Sequence, residues 1–548
     1  MNDQSDKASA DDNASEPDKG SERSRTGRRA GWVRAAASGL VGAGAFVAAA
    51  ELIALVTGQR SGPVVAVGSF VIDIVPRWAK ELAIDVFGSN DKFFLLLTLA
   101  VVSGVVAAIA GILELMRPPI GLVIVGVAGV VAIAAAATRA GASALAFAPP
   151  AVGAVVGILV LRTLGRRLRR WIAAQAASQR AGTASGAAAL AQGVDRRGFL
   201  AVAGITAAAS VLIGVGSLVG QAAAASIREI RRAVKLPHPR KTVPIPDGAE
   251  LNVPGITPLF TANSDFYRVD TALTVPSVDP AGWSLMVDGM VDRSIRLSFD
   301  DLLEMGLDEY VITMTCVSNQ VGGDLVGNAR WLGVPVRQIL AMASPHTGAD
   351  MVLSRSVDGF TASTPLASLT DEKLDAILAV GMNGEPLPLE HGFPVRMVVP
   401  GLYGYVSATK WLSKLSVTTF AKDAGYWTSR GYSAKAPIKL SSRIDTPRIG
   451  KAVAVGPTKI AGVAWAQTVG ISRVEVRVDD GPWQNATLSK PVNDDTWVQW
   501  MLDWNAREGN HTLVVRATDK NGTVQEKTRR PVAPNGSSGW QQTLVRVG

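Results

Sequence analysis

The chain reads as multi-domain: an α-helical membrane region, then an α+β domain, then an all-β sandwich of immunoglobulin-like type. Three observations predict this. Long blocks of Ala, Val, Gly and Leu without charges recur through the first 220 of the 548 residues. Strand-like and helix-like patterns then alternate to about residue 435. From 436 onward, period-two alternation and hairpin-type turns dominate and helix signals nearly vanish.

Residues 1–31 are charged and lack apolar periodicity, so they are expected to be a disordered cytoplasmic tail. Within 32–220, five stretches are apolar enough to span a bilayer: 33–56, 93–116, 119–137, 144–161 and 199–220. The stretch 63–76 is shorter and contains Asp73, which suits an interfacial or re-entrant helix. Arg23, Arg25, Arg28, Arg29 and Arg34 precede or open the first span, and Arg162, Arg166, Arg167, Arg169 and Arg170 follow the fourth. The positive-inside bias puts both groups in the cytoplasm, and a fifth span then places everything after residue 220 outside. The predicted location is the cell membrane, multi-pass, with the C-terminal region extracytoplasmic. Much of the net charge of +9 is membrane-flanking arginine, so it gives no reason to expect a nucleic-acid partner.

The fifth span opens Asp195-Arg196-Arg197-Gly198-Phe199-Leu200. Adjacent arginines there are either plain topogenic charge or a twin-arginine export signal retained as an anchor. Ala222–Ala225 also offers small residues for signal-peptidase cleavage. The four histidines are His238, His346, His391 and His511, so residues 32–220 contain none and a bis-histidine haem is excluded there. Glu51 and Glu114 fall within or at the ends of spans, where interfacial placement is the ordinary expectation.

Residues 221–254 are rich in proline and read as an extended linker. In 255–435, Trp283–Asp288, Val311–Thr315 and Val395–Val399 read as strands, while Phe299–Met305 and Val336–Met342 read as short helices. In 436–548, Val474–Val478 alternates into the turn Asp480-Gly481, and Asn521-Gly522 marks another. No disulfide staples this sandwich, because Cys316 is the only cysteine in the chain.

Cys316 ends the β-branched run Tyr310–Cys316. Two readings stand: a buried small hydrophobe, or a single thiolate serving as soft-metal ligand or nucleophile. The segments downstream of the cysteine favour the second. Asn328-Ala329-Arg330-Trp331-Leu332-Gly333-Val334-Pro335 comes first, then His391-Gly392-Phe393-Pro394-Val395-Arg396, Pro400-Gly401-Leu402-Tyr403-Gly404 and Ser407-Ala408-Thr409-Lys410-Trp411-Leu412. With Cys316, these segments resemble the sulfite oxidase family of molybdopterin enzymes in order and spacing. The resemblance spans about 255–420 and extends toward the C-terminus.

The resemblance implies a sulfite oxidase-type molybdopterin domain at 255–435, and at 436–548 the family's C-terminal domain, which mediates dimerisation in relatives. It implies a molybdenum-molybdopterin cofactor with Cys316 as metal ligand. Arg396 and Lys410 are implied phosphate or pterin contacts, and His391 an implied pterin hydrogen-bond partner. Asn263, Tyr267 and Arg268 match the early pterin-binding segment, and Ser407 falls inside the last motif. Two-electron oxo transfer on a small sulfur-containing or related substrate is the implied chemistry. Electrons pass to a separate partner, a cytochrome or quinone-linked protein, since no Cys-x-x-Cys-His occurs. A homodimer is expected on the same grounds.

One departure matters. Sulfite-oxidising members carry arginines soon after the cysteine, whereas this chain has Val317-Ser318-Asn319-Gln320. A doubly negative oxyanion calls for guanidinium groups there. Sulfoxide reduction within the same superfamily therefore stays open, as does a non-catalytic extracytoplasmic binding module.

Overall fold

The computed structural model describes residues 19–56, 63–75, 91–138, 145–180 and 225–548. The chain divides into two compact units, Met1–Gly220 and Gln221–Gly548. The span expected at 199–220 and the Arg196-Arg197 pair lie outside the described residues.

The first unit holds α1 (Lys19–Val56), α2 (Pro63–Ile74), α3 (Asp91–Met116), α4 (Ile120–Ala137) and α5 (Ala148–Arg180). Among the described residues, α1, α3, α4 and α5 are long and apolar enough to cross a membrane, through Gly31–Ala54, Phe94–Met116, Ile120–Ala137 and Ala148–Ala174. Two boundaries differ from expectation. Residues 19–31, expected to be disordered, form the first turns of α1, and α5 runs on through its arginines to Arg180. Arg, Ala, Glu and Gln propagate a helix readily once an apolar segment has nucleated it.

Inside this unit small residues allow close packing. A Cβ on Gly39 would lie 1.9 Å from the Ala107 carbonyl oxygen, and one on Gly111 2.0 Å from that of Ala35. Valines such as Val101, Val105, Val123 and Val130 stay exposed, as lipid-facing side chains do. Glu114, expected at an interface, is instead buried inside the unit. Arg169 Nη1 donates to its carbonyl oxygen at 2.6 Å and lies 3.4 Å from its Oε1.

The second unit opens with a helix at 225–233, here α6, followed by irregular chain to 283. The Pro-rich stretch expected to run as a linker is docked along the domain. Arg240 makes a bidentate pair with Asp308, and the Val243 amide donates to Glu309 Oε1.

The strands that come next are β1 (Ser284–Gly289), β2 (Ile295–Ser298), β3 (Asp308–Thr315), β4 (Val326–Pro335), β5 (Met351–Ser356), β6 (Thr361–Pro365), β7 (Ile377–Met382), β8 (Glu385–Pro386), β9 (Arg396–Val398) and β10 (Leu412–Thr418). One sheet has the order β2-β1-β10-β5-β6, with β1 and β10 parallel. The other runs β3-β4-β7-β8, and β9 pairs with β7. An apolar core drawn from both sheets and the helix Val336–Ala343 includes Leu285, Val287, Val334, Leu340, Leu378, Met397 and Leu415, all fully buried. At about 1.5–3 kcal/mol per buried side chain, it fixes the strand ends on which the candidate residues sit.

The remaining strands are β11 (Ser441–Thr446), β12 (Gly456–Trp465), β13 (Ile471–Val478), β14 (Gln484–Asn485), β15 (Thr487–Leu488), β16 (Val498–Ala506), β17 (Gly509–Asp519) and β18 (Gln541–Val547). They form two four-stranded sheets, β11-β12-β16-β15 and β14-β13-β17-β18, over a shared core around Trp500, Val474 and Val515. This β-rich region also covers the free edge of β3. Asn493 Nδ2 donates to the Val311 carbonyl, the Thr313 amide to the Asp495 carbonyl, and the Trp497 amide to Thr313 Oγ1. Strand edges left open invite foreign pairing, and this one is closed from within the chain.

Candidate active site

Cys316 stands at the end of β3, 8% exposed. Its amide donates to the Leu325 carbonyl at 2.9 Å, and its sulfur receives the Ser318 amide at 3.4 Å. Burial pushes the thiol up from its ordinary value, the Ser318 amide opposing. A ligand metal must therefore displace a proton held more tightly than usual.

The loop after it is gripped from both sides. Asn319 is buried, and its Oδ1 accepts from the Leu325 amide at 3.0 Å. Ser537 Oγ donates to the Asn319 carbonyl at 2.6 Å, and Arg443 Nη1 to the Gly323 carbonyl at 2.9 Å. The C-terminal region thus fixes the cysteine through both β3 and the loop. Asn319 is spent on closing that loop.

His391, Arg396 and Lys410 converge because Gly392 lies between them with φ +111. A Cβ there would sit 3.0 Å from Arg396 Cβ and 3.1 Å from Lys410 Cα. His391 is 3% exposed, its Nε2 is 3.1 Å from the Asn263 carbonyl, and its ring meets Phe266 edge-on at 5.5 Å. Burial first, then the charges of Arg396 and Lys410, hold it down at about 3, so the ring stays neutral.

Arg396 is 4% exposed and lies over the Trp331 ring at 5.2 Å, donating Nη1 to the His391 carbonyl at 3.2 Å. Its Nε has no partner, and it pairs with no carboxylate among the described residues. Burial lowers it to about 10, with the neighbouring Tyr267 acting the other way. Lys410 Nζ bonds Asp270 Oδ2 at 2.6 Å and the Glu390 carbonyl at 3.0 Å. Burial lowers it to about 8, against the pull of Asp270. Arg268 shares the same carboxylate oxygen at 2.9 Å.

Tyr267 is stacked on Phe266 at 5.2 Å, and burial above all pushes its hydroxyl well up from the ordinary value. Asn263 Nδ2 donates to Glu385 Oε1 at 2.6 Å. Ser407 is set apart from these: its hydroxyl bonds the Leu402 and Tyr403 carbonyls at 3.0 Å, within its own helical turn. The sequence reading missed Asp270 and Glu385, which balance or orient the expected residues. Asp270 follows Arg268 by two positions, and that charge alternation was the only signal.

An aromatic wall adjoins the cysteine. Four of the six tyrosines lie between 403 and 432. Tyr403 and Tyr405 cluster with Val317, Trp427 and Tyr432. Ring centroids are 5.5 Å apart for Tyr405–Tyr432, 5.3 Å for Trp427–Tyr432 and 5.2 Å for Tyr426–Trp427.

The arrangement fits a buried anionic group held by one thiolate. Arg268 and Lys410 share a single carboxylate, one Arg396 nitrogen is buried without an acceptor, and the Cys316 thiol is buried and free.

A pH effect arises from His391. The unfolded chain takes up a proton near the ordinary 6.5, whereas the folded protein resists until about 3. The stability is therefore fully present above 6.5 and is lost as pH falls, by about 1.4 kcal/mol per unit for this group. Guanidinium unfolding between pH 6.5 and 4.5 should show a steeper loss for the parent than for His391→Gln; equal slopes would contradict the assignment.

A family model described as an oxidoreductase molybdopterin binding domain matches residues 272–427. Mitochondrial sulfite oxidase from Mus musculus is 31% identical over 327 residues, covering 50% of this chain and 59% of that protein. The human enzyme is 31% identical over 309 residues, 47% of this chain and 56% of its own. Sulfite oxidase from Arabidopsis thaliana is 27% identical over 337 residues, covering 50% and 85%. The chain thus spans little more than half the length of the mammalian relatives it matches. Among solved structures, the sulfane dehydrogenase SoxCD from Paracoccus pantotrophus aligns at a TM-score of 0.47 and 23% identity, over 54% of this chain and 84% of that one.

Proposed function

We propose that this chain, whose residues 272–427 match an oxidoreductase molybdopterin binding domain, is a sulfite oxidase-like molybdopterin-dependent oxidoreductase, anchored in the cell membrane and working on the extracytoplasmic side. The buried, carboxylate-free Arg396, in a domain that also buries its one free cysteine, carries the reading, because such residues suit an anionic group that brings its own metal. Cys316 would ligate the molybdenum as thiolate. Arg396 and Lys410 would hold the phosphate or pterin, with Arg268 at the outer edge. Neutral His391, oriented by the Asn263 carbonyl, would present its remaining ring nitrogen to the pterin. Tyr267 would contribute to the pterin-side lining.

When bound, a molybdenum-molybdopterin cofactor supplies two-electron oxo transfer. The chain's own work is to exclude water, hold charge and orient the substrate. A separate electron-transfer partner, a cytochrome or quinone-linked protein, completes the cycle. The four apolar helices support the anchor reading, and the immunoglobulin-like reading of residues 436–548 goes with a homodimer.

Two observations favour an uncharged organic sulfur substrate, such as a sulfoxide, over sulfite. The loop 317–325 offers no arginine, and the wall next to it is aromatic. Turnover of methyl phenyl sulfoxide with reduced viologen should exceed sulfite oxidation with a dye acceptor by at least about tenfold in kcat/KM, a difference of about 1.4 kcal/mol. The reverse ranking would restore sulfite as the substrate.

A further inference from the structure

Resting on the cofactor reading above, we propose that Arg231 is a positioning residue for the cofactor cradle, so that the segment following the membrane region is part of the site. Arg231 lies on α6 with its side chain 15% exposed. Its Nε donates to the Leu387 carbonyl at 2.7 Å and its Nη2 to the Pro386 carbonyl at 2.5 Å. The same Nη2 is 3.0 Å from Glu385 Oε2. A planar guanidinium meeting three acceptors in a row fixes the backbone of 385–387, which an exposed ion pair would not do.

That backbone leads straight into the turn Leu389–His391. The other oxygen of Glu385 accepts from Asn263 Nδ2 at 2.6 Å, and the Asn263 carbonyl meets His391 Nε2 at 3.1 Å. The His391 carbonyl in turn accepts from Arg396 at 3.2 Å. Arg231 therefore reaches His391 by two routes, one along the chain and one through Glu385 and Asn263. Apolar packing runs in parallel: Ile227, Ile230 and Val234 join the cluster of Phe266 and Trp331, which touch the His391 and Arg396 side chains. With its first segment wired to both ends of the pterin-side group, the domain holds that group in one geometry before anything binds.

The test uses the full chain in detergent, produced with the molybdopterin pathway intact, as parent, Arg231→Ala, Arg231→Lys and the exposed control Arg232→Ala. Molybdenum remaining after timed washing is read beside amide hydrogen exchange. Arg231→Ala should lose metal at least about tenfold faster than the parent, the scale seen for residues that orient ligands. Arg231→Lys should fall between, and Arg232→Ala should match the parent. Exchange at residues 389–396 should accelerate in Arg231→Ala while β12, β16 and β17 stay unchanged. Unaltered retention with unaltered exchange at 389–396 would overturn the inference, as would acceleration spread evenly over the whole unit. A parent without molybdenum would sink the cofactor reading alone, and the exchange at 389–396 would still decide the role of Arg231.

Discussion

Cys316→Ser is expected to leave a folded protein that retains less than about one hundredth of the parent's molybdenum and oxo-transfer activity. The sulfur sits in a buried position whose backbone is held by Leu325 and whose loop is held by Ser537 and Arg443, so a hydroxyl of similar size perturbs the fold little. What it removes is the thiolate. A serine hydroxyl does not ionise to serve a soft metal at neutral pH, and effects of ligand loss exceed the 10–100-fold seen for supporting residues. Metal content by elemental analysis, beside circular dichroism of both proteins, checks both halves of the expectation. Full molybdenum in the variant would remove Cys316 as the ligand.

The second large effect has opposite signs in the two states of the protein. Arg396→Met should stabilise the cofactor-free chain by about 1–3 kcal/mol, because it replaces a buried guanidinium lacking a carboxylate and one acceptor with an apolar side chain. The same change should reduce molybdenum retention by more than about tenfold, since the cation that neutralises the anionic group is gone. Arg396→Lys keeps the charge but loses the fork, and should fall between the two. Thermal unfolding of cofactor-free parent and variants, paired with metal retention, tests this. A destabilised Arg396→Met apoprotein would mean that Arg396 is a structural cation rather than one held for a ligand.

His391, Arg396 and Lys410, read along the chain as one set of motifs, come together around Gly392. His391 closes the turn Leu389–His391, Arg396 opens β9 and Lys410 lies just before β10, all packed about Gly392, so a motif read along the chain maps onto a compact cluster. The β-branched run before Cys316 was legible as a strand, and it is β3, with Cys316 just past its end. The counter-charges were not legible. Asp270 meets Lys410 across 140 positions, and Arg231 meets Leu387 across 156, and no local pattern announces such pairs. The Ser407 hydroxyl finds the carbonyls of the preceding turn, as a hydroxyl in a short helix does.

In the membrane region, uncharged blocks marked the helices well. Their ends were less legible, since Arg-rich and Ala-rich flanks continue a helix at no hydrophobic gain. The linker was read from its prolines as extended and running onto the domain surface, and Arg240 and Val243 dock it on β3 through Asp308 and Glu309. Proline content limits local conformation and says nothing about what the segment packs against.

Elemental analysis of the purified full chain, made in a host with an intact molybdopterin pathway, decides whether the thiol and the cations around Gly392 serve one metal-bearing cofactor. About one molybdenum per chain is expected, as for a group bound at one thiolate. A well-folded chain without molybdenum would contradict that assignment and leave the second unit as a binding module.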